Sequence, residues 1–398
     1  MGGYSSEPIF AHQTLFRMLN VLLTGLVSFA LTFLALPAIM KVAKEKKLYD
    51  IPDERKLHTK AIASLGGVGI FIGLFLATLL TIPFRDAPEY PFFFAAALVI
   101  FFLGLKDDIL IISATKKFLG QVAAAAILIH LGGINIDSMH GFMGIGQLPE
   151  PIAYLLSYIT IIVIINAYNL IDGVDGLAGS LGVLTSLLFG IYFFFANMPF
   201  YSLVSFSMAG SLLAFLYFNF HPARIFMGDS GSLLLGLVNA MLVIKFINAA
   251  DSVSGDFPLS SSVAIGFSIL VLPLLDTLRV FSIRISKGRS PFSPDRNHIH
   301  HLLLDRGLNH RYVTFSCVGL NVALIAMTYI GRSLGSTVLI CLMISITYLL
   351  IGMLIYFKKP VARIVITGSF QGGAAEAVQQ PSTKIVALKN EAAVANEQ

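Results

Sequence analysis

Eleven stretches of this chain are long, apolar and nearly free of charge, and they leave one class of fold open. They lie at residues 17–40, 65–84, 91–105, 118–132, 152–170, 177–196, 199–218, 231–248, 262–282, 312–330 and 335–357. A run of roughly 20 apolar residues matches the thickness of the hydrocarbon core of a bilayer. Within that core every backbone polar group must be satisfied by its own segment, and none of these runs alternates as a strand would. The fold expected is therefore an all-α polytopic membrane protein with about eleven transmembrane helices, of which the third and fourth are short. Composition agrees: 56% of residues are hydrophobic and 12% charged, against about 25% charged in an ordinary soluble domain. Soluble, disordered and collagen-like classes are excluded. So is a disulfide framework, because the two cysteines, Cys317 and Cys341, both sit inside apolar runs.

The connections between runs carry an orientation. With the N-terminus outside, 23 of the 27 Lys and Arg fall on inside segments or at their edge, and only Arg85 and Arg332 fall in outside connections. That bias is the positive-inside pattern, and an odd number of spans puts the C-terminus in the cytoplasm. Lys41, Lys44, Lys46 and Lys47 follow the first run, the reverse of a cleaved signal peptide. Residues 1–16 are thus expected as a short extracytoplasmic segment and 17–357 as a transmembrane domain with cytoplasmic loops. Residues 358–398, rich in Ala, Gln, Glu and Lys, are expected as a disordered cytoplasmic tail.

Acids collect on the inside face, where a lipid-embedded chain has most reason to avoid them. Asp107 and Asp108 follow the third run in LGLKDDI, Asp172 and Asp175 lie in NAYNLIDGVDGLAGS, and Asp229 lies in FNFHPARIFMGDSGS. A further loop, SPDRNHIHHLLLDRGLNHR, adds His298, His300 and His301. Each motif has a plain alternative. The aspartates suit turns and helix caps, Arg55 and Lys56 suit positive-inside anchors, and the histidines suit a surface patch or a zinc site. Taken together they suit one task. Clustered carboxylates favour a hard cation such as Mg2+, with Mn2+ as the alternative, bound beside substrate phosphates. Lys56, Lys106, Lys117, Arg296 and the imidazoles suit phosphate oxygens, and the location makes one reactant a lipid. Within the spans, Asp276 and Arg279 share a helix face and are expected to pair, while Lys245 has no evident partner.

The segments DERKLHTKAIASLGG, GLKDDI, KKFLGQ, NLIDGVDGLAGS, FNFHPARIFMGDSGS and PDRNHIHHLLLDRG, in this order, resemble the polyprenyl-phosphate N-acetylhexosamine-1-phosphate transferase superfamily (glycosyltransferase family 4). The interrupted histidine motif, with Ile299 between His298 and His300, is similar to the WecA/TagO-like branch. The resemblance implies transfer of N-acetylglucosamine-1-phosphate from UDP-N-acetylglucosamine to undecaprenyl phosphate, releasing UMP, as the first membrane step of cell-envelope polysaccharide synthesis at the inner membrane. It further implies Asp229 and Asn169 as metal ligands, and Asp107, Asp108, His298, His300 and His301 as catalytic residues. Substrate binding would fall to Arg55, Lys56, His58, Lys117, Asp172, Asp175 and Arg296. Rivals are another UDP-linked N-acetylhexosamine or the muramoyl-pentapeptide donor and, in another class, a transporter. No nucleic-acid partner is implied, and an oligomer stays open.

Overall fold

The computed structural model describes residues 7–48, 62–83, 85, 87–110, 112–251, 257–288 and 298–356. Arg55, Lys56, His58, Arg296 and the tail 358–398 lie outside the described residues. Thirteen α-helices follow in order: α1 (Glu7–Lys46), α2 (Gly66–Thr81), α3 (Tyr90–Ile109), α4 (Ala114–Ala126), α5 (Glu150–Ile171), α6 (Leu177–Phe195), α7 (Pro199–Asn219), α8 (Gly228–Ala250), α9 (Ser262–Ile269), α10 (Val271–Ser286), α11 (Ile299–Leu304), α12 (His310–Ile330) and α13 (Ser336–Tyr356). A π turn at Ile127–Leu131 extends α4. Among the described residues extended pairing is confined to isolated bridges, Ala63 with Ile225 and Ser138 with Gln147.

All eleven apolar runs fall on helices. Seven of these (α1, α5, α6, α7, α8, α12 and α13) are long and apolar enough to cross a membrane. The shorter α2 has 16 residues, and the last turn of α3 carries Lys106, Asp107 and Asp108.

The run 262–282 is not one straight helix. It breaks into α9 and α10, bent by 79°, at Leu270, whose backbone leaves the helical region. Pro273 explains the break: a proline ring clashes with the carbonyl four residues back, which is that of Ile269, the last residue of α9. The freed backbone groups find a side chain instead. Fully buried Asn321 of α12 accepts from Leu272 N–H (3.2 Å) and donates to the Ile269 carbonyl (3.1 Å). A neighbouring helix thus satisfies the backbone groups that the break frees.

The bundle is arranged around α8. In its most apolar stretch α8 is 83% buried against 22% for α1, and α2, α3 and α5 pack along it. Small residues permit the approach, as helix pairs in lipid require. A Cβ on Gly67 of α2 would stand 2.1 Å from Gly231 N of α8, and one on Gly104 of α3 would stand 2.5 Å from the Asp229 carbonyl. The outer faces of α1, α12 and α13 expose leucines, isoleucines and aromatics such as Leu26, Phe315 and Leu349, the surface a lipid would cover. Lys245 of α8 places its ammonium 5.2 Å from the Tyr201 ring, a cation–π contact that accounts for a charge inside a span.

Replacing Asn321 with Leu leaves two buried backbone groups unpaired and should lower stability by about 1–3 kcal/mol. Thermal unfolding of the detergent-solubilised protein reads this.

Candidate active site

Four helix ends meet where α8 begins. An α-helix starts with backbone N–H groups that have no partner within the helix, and α8 receives its partner from α3. The Asp108 carboxylate accepts from Asp229 N–H (2.6 Å), Ser230 N–H (3.0 Å) and the Ser230 hydroxyl (2.6 Å). Gly228 makes the join: its φ is +70°, and a Cβ there would fall 2.1 Å from the Ser64 carbonyl and 2.7 Å from the Asp108 carboxylate. Asp108 lies beyond the apolar run that ends at residue 105. Burial pushes its carboxyl up to about 7 against the opposing pull of its donors.

With Asp108 occupied by α8, its neighbour Asp107 faces α4. Its Oδ1 accepts from Ile112 N–H (2.9 Å), closing the chain after α3, and its Oδ2 lies 3.1 Å from Lys117 Nζ. The same ammonium forms an ion pair with Asp229 Oδ2. Asn169, near the end of α5, donates to Asp229 Oδ1 and, at 2.9 Å, to the Ser232 hydroxyl. Asp107, Asp108, Lys117, Asn169 and Asp229 therefore form one constellation, as read from motifs more than a hundred residues apart. It keeps an opening: the side chains of Asp107, Lys117 and Asp229 are 14%, 19% and 26% exposed.

Asp172 follows α5 and keeps part of its surface accessible, while its carboxyl is set among dense protein atoms. Burial pushes it up to about 8, with the negative charges of Asp229, Asp108 and Asp175 adding to the effect.

Asp175 belongs to a second cluster. Its Oδ2 lies 2.7 Å from His221 Nδ1 and accepts from Ala223 N–H, and its Oδ1 lies 3.3 Å from His310 Nδ1. Thr314 donates to the Asp175 carbonyl, Gly176 N–H donates to Asn219 Oδ1, and Arg311 donates twice to the His221 carbonyl. These bonds tie the α5–α6 turn to the α7–α8 loop and the start of α12. The ligand atoms of Asp175, His221 and His310 lie within 4.8 Å of one another, a metal-like spacing that the direct hydrogen bonds already explain. Burial works to raise the Asp175 carboxyl, but its His310 and His221 partners hold it below the usual carboxylate range.

The histidine loop is not a surface patch. His298 and His300 are 4% and 1% exposed. Their rings stack 5.5 Å apart and nearly parallel, and His301 follows at 4.5 Å from His300. His300 is seated against the α5–α6 turn, where a Cβ on Gly173 would lie 2.6 Å from its Nε2. Burial pushes His300 down to about 3, so it is neutral at physiological pH. The motifs did not disclose the roles of His221, His310, Asn219, Ser230 and Ser232. His221 and His310 do stand inside the quoted FNFHPAR and LNHR segments, where an imidazole beside charged residues is the available signal.

Comparison with known proteins is consistent with this geometry. The model of the family described as "Glycosyl transferase family 4" matches residues 90–247. A Mycobacterium tuberculosis protein named decaprenyl-phosphate N-acetylglucosaminephosphotransferase is 34% identical over 316 residues, 73% of this chain and 77% of the relative. A Bacillus subtilis protein named probable undecaprenyl-phosphate N-acetylglucosaminyl 1-phosphate transferase is 31% identical over 353 residues, 87% of this chain and 93% of the relative. The chain belongs to glycosyl transferase family 4. The family match covers α3 through most of α8 and so contains Asp107, Asp108, Lys117, Asn169, Asp172, Asp175 and Asp229, whereas the histidine loop lies beyond it. An Escherichia coli O157:H7 relative, named undecaprenyl-phosphate alpha-N-acetylglucosaminyl 1-phosphate transferase, is 29% identical over 76% of this chain and 82% of its own length.

For this family 4 chain, Asp175→Ala should release the three-way junction and cost about 1–3 kcal/mol of stability at neutral pH. Because the folded carboxyl is held low, its contribution is complete above the unfolded value of about 4 and is lost as the pH falls through the folded value. Thermal unfolding of the two proteins at pH 7 should therefore differ, and the gap should close in strong acid.

Proposed function

We propose that this chain transfers N-acetylglucosamine-1-phosphate from UDP-N-acetylglucosamine to undecaprenyl phosphate, giving undecaprenyl-diphosphate-N-acetylglucosamine and UMP. The observation that carries this reading is the cage in which Asp107 and Asp229 both pair with the Lys117 ammonium while Asn169 donates to Asp229, in a chain whose relatives are named for this transfer. Reading all eleven apolar runs as spans, with the N-terminus outside and the C-terminus in the cytoplasm, places the cage at the cytoplasmic side of the inner membrane. The strong bias of Lys and Arg to one set of connections supports that orientation.

The donor set fits Mg2+. Two carboxylates offer hard oxygen ligands, Asn169, which meets Asp229 through its amide nitrogen, would offer its oxygen once the amide is turned over, and Lys117 Nζ stands between the carboxylates as a cation would. Bound there, held by Asp229 and Asn169 with Asp107 beside them, the ion would supply charge neutralisation and alignment for a diphosphate.

The rest of the chemistry falls to the chain's own residues. A lipid phosphate monoester, with a second pKa of about 6, is mostly dianionic at neutral pH and needs no strong base. Its oxygen attacks the sugar-bound phosphorus, a new P–O bond forms, and the bond to the bridging oxygen breaks to release UMP. The difficult part is bringing two anions together in line. Lys117 supplies positive charge at that point. Asp107 has both oxygens engaged, by Ile112 N–H and by Lys117, which suits a residue that holds the lysine in place and favours direct single displacement over an aspartyl-phosphate route. Asp172 is assigned to the nucleotide, with Asp175, expected beside it, instead holding His221 and His310, and the histidine loop is assigned to the sugar phosphate. A transporter would need its acids near the midplane; here they gather at helix ends.

Purified protein given UDP-N-acetylglucosamine, undecaprenyl phosphate and Mg2+ should release UMP, and chelation of the metal should stop it. Asp229→Ala should reduce turnover by about 100-fold or more while the protein remains folded; turnover at the wild-type level would refute the cage. A donor panel including the muramoyl-pentapeptide nucleotide decides the sugar. Cysteines introduced into the KDDI and GDSGS stretches should label from the same side of the membrane.

A further inference from the structure

Asp276 of α10 is 1% exposed, and its two oxygens are divided between two tasks. Its Oδ1 accepts from Ile299 N–H (2.9 Å) and from the Arg279 guanidinium (3.3 Å), pinning the start of α11 and forming the pair foreseen from the helix spacing. Its Oδ2 faces His298 Nδ1 at 2.9 Å. A carboxylate can only accept, so the proton of this bond belongs to the imidazole. His298 is thereby held as the Nδ1–H tautomer, with Nε2 on the opposite edge carrying the lone pair. When Nε2 takes a proton, the charge on the ring is compensated by the carboxylate behind it.

We propose that Asp276 is the positioning residue for His298, its Oδ2 fixing ring orientation and holding a proton on Nδ1 so that Nε2, once it takes a proton, donates to the sugar phosphate of the donor. This inference rests on the transferase reading for its kinetic consequence, but the tautomer itself does not. A buried acid partner of this kind orients an imidazole, and its loss typically costs about 10–100-fold in activity.

The separation of tasks between the two oxygens supplies a selective variant. In Asp276→Asn the amide oxygen can keep both Oδ1 contacts, so the α11 anchor survives. The amide nitrogen then donates toward Nδ1, which must accept, and the proton moves to Nε2. UMP release should fall about 10–100-fold, with thermal unfolding little changed. The same substitution in a His298→Ala background should cause no further loss. In 15N spectra of histidine-labelled protein, one ring should move from Nδ1–H to Nε2–H, and that signal should be absent in His298→Ala. Equal losses in both backgrounds, or UMP release at the wild-type level in Asp276→Asn, would overturn the proposal. If Asp276→Asn does not fold, comparison of wild-type and His298→Ala spectra still decides, because an Nε2–H signal assigned to His298 in the wild type contradicts it. A wild-type protein that releases no UMP would defeat the transferase reading and leave the spectral test intact.

Discussion

The bond between the Asp108 carboxylate and the first N–H groups of α8 is the contact on which the site depends. Gathering several aspartates at the edge of a hydrocarbon layer is unfavourable unless positive partners are built in. The start of α8 supplies one, because unpaired N–H groups and the aligned peptide dipoles favour an anion there. The need is mutual. α8 is the most enclosed helix of the bundle, and water has limited access to its first turn. By meeting that turn, Asp108 fixes the end of α3 against the start of α8, and the adjacent Asp107 is turned to the other side, where Lys117 joins it to Asp229. One capping interaction therefore sets the separation of the acids that form the cage.

This arrangement needs backbones in close contact, which explains the small residues around it. Gly67, Gly104, Gly228 and Gly231 lie where α2, α3 and α8 converge, and a side chain at Gly67, Gly104 or Gly228 would strike backbone or carboxylate atoms. Elsewhere in the bundle α1, α2 and α7 are joined by hydroxyls. Ser28 donates to the Ser207 carbonyl, Ser207 to the Leu74 carbonyl, and Thr32 to the Gly69 carbonyl. With no hydrophobic drive between helices in lipid, close packing and such bonds provide the cohesion.

Much of this was legible in the chain. Each apolar run became helix, since hydrocarbon leaves the backbone no alternative, and the motifs containing Asp107, Asp108, Lys117, Asn169 and Asp229 did converge. Three things were not legible. The break at Leu270 is signalled only by Pro273 and depends for its repair on Asn321, which lies on another helix, α12. Asp276 reads locally as the partner of Arg279, three residues away, whereas its link to His298 comes from a loop that periodicity cannot place. The separation of Asp175 from the cage was hidden because Asp172 and Asp175 share one motif; the turn between them sends the two carboxyls to different neighbours.

That turn explains how chemistry from distant helices can act as one site. Within residues 172–176, Asp172 senses the acidic cage, Gly173 lets His300 approach closely, Asp175 holds His221 and His310, and Gly176 donates to Asn219. The cage, the histidine loop and the start of α12 thus meet on five consecutive residues. The density of glycine in DGVDG follows from these demands: Gly176 adopts a φ of +78°, and Gly173 yields the volume of a side chain to an imidazole. A turn shared by an acidic group and an imidazole group sets their spacing, because both are referenced to the same backbone. For the transfer proposed above, which must place two anionic phosphates in line, that shared reference would matter more than the strength of either group alone.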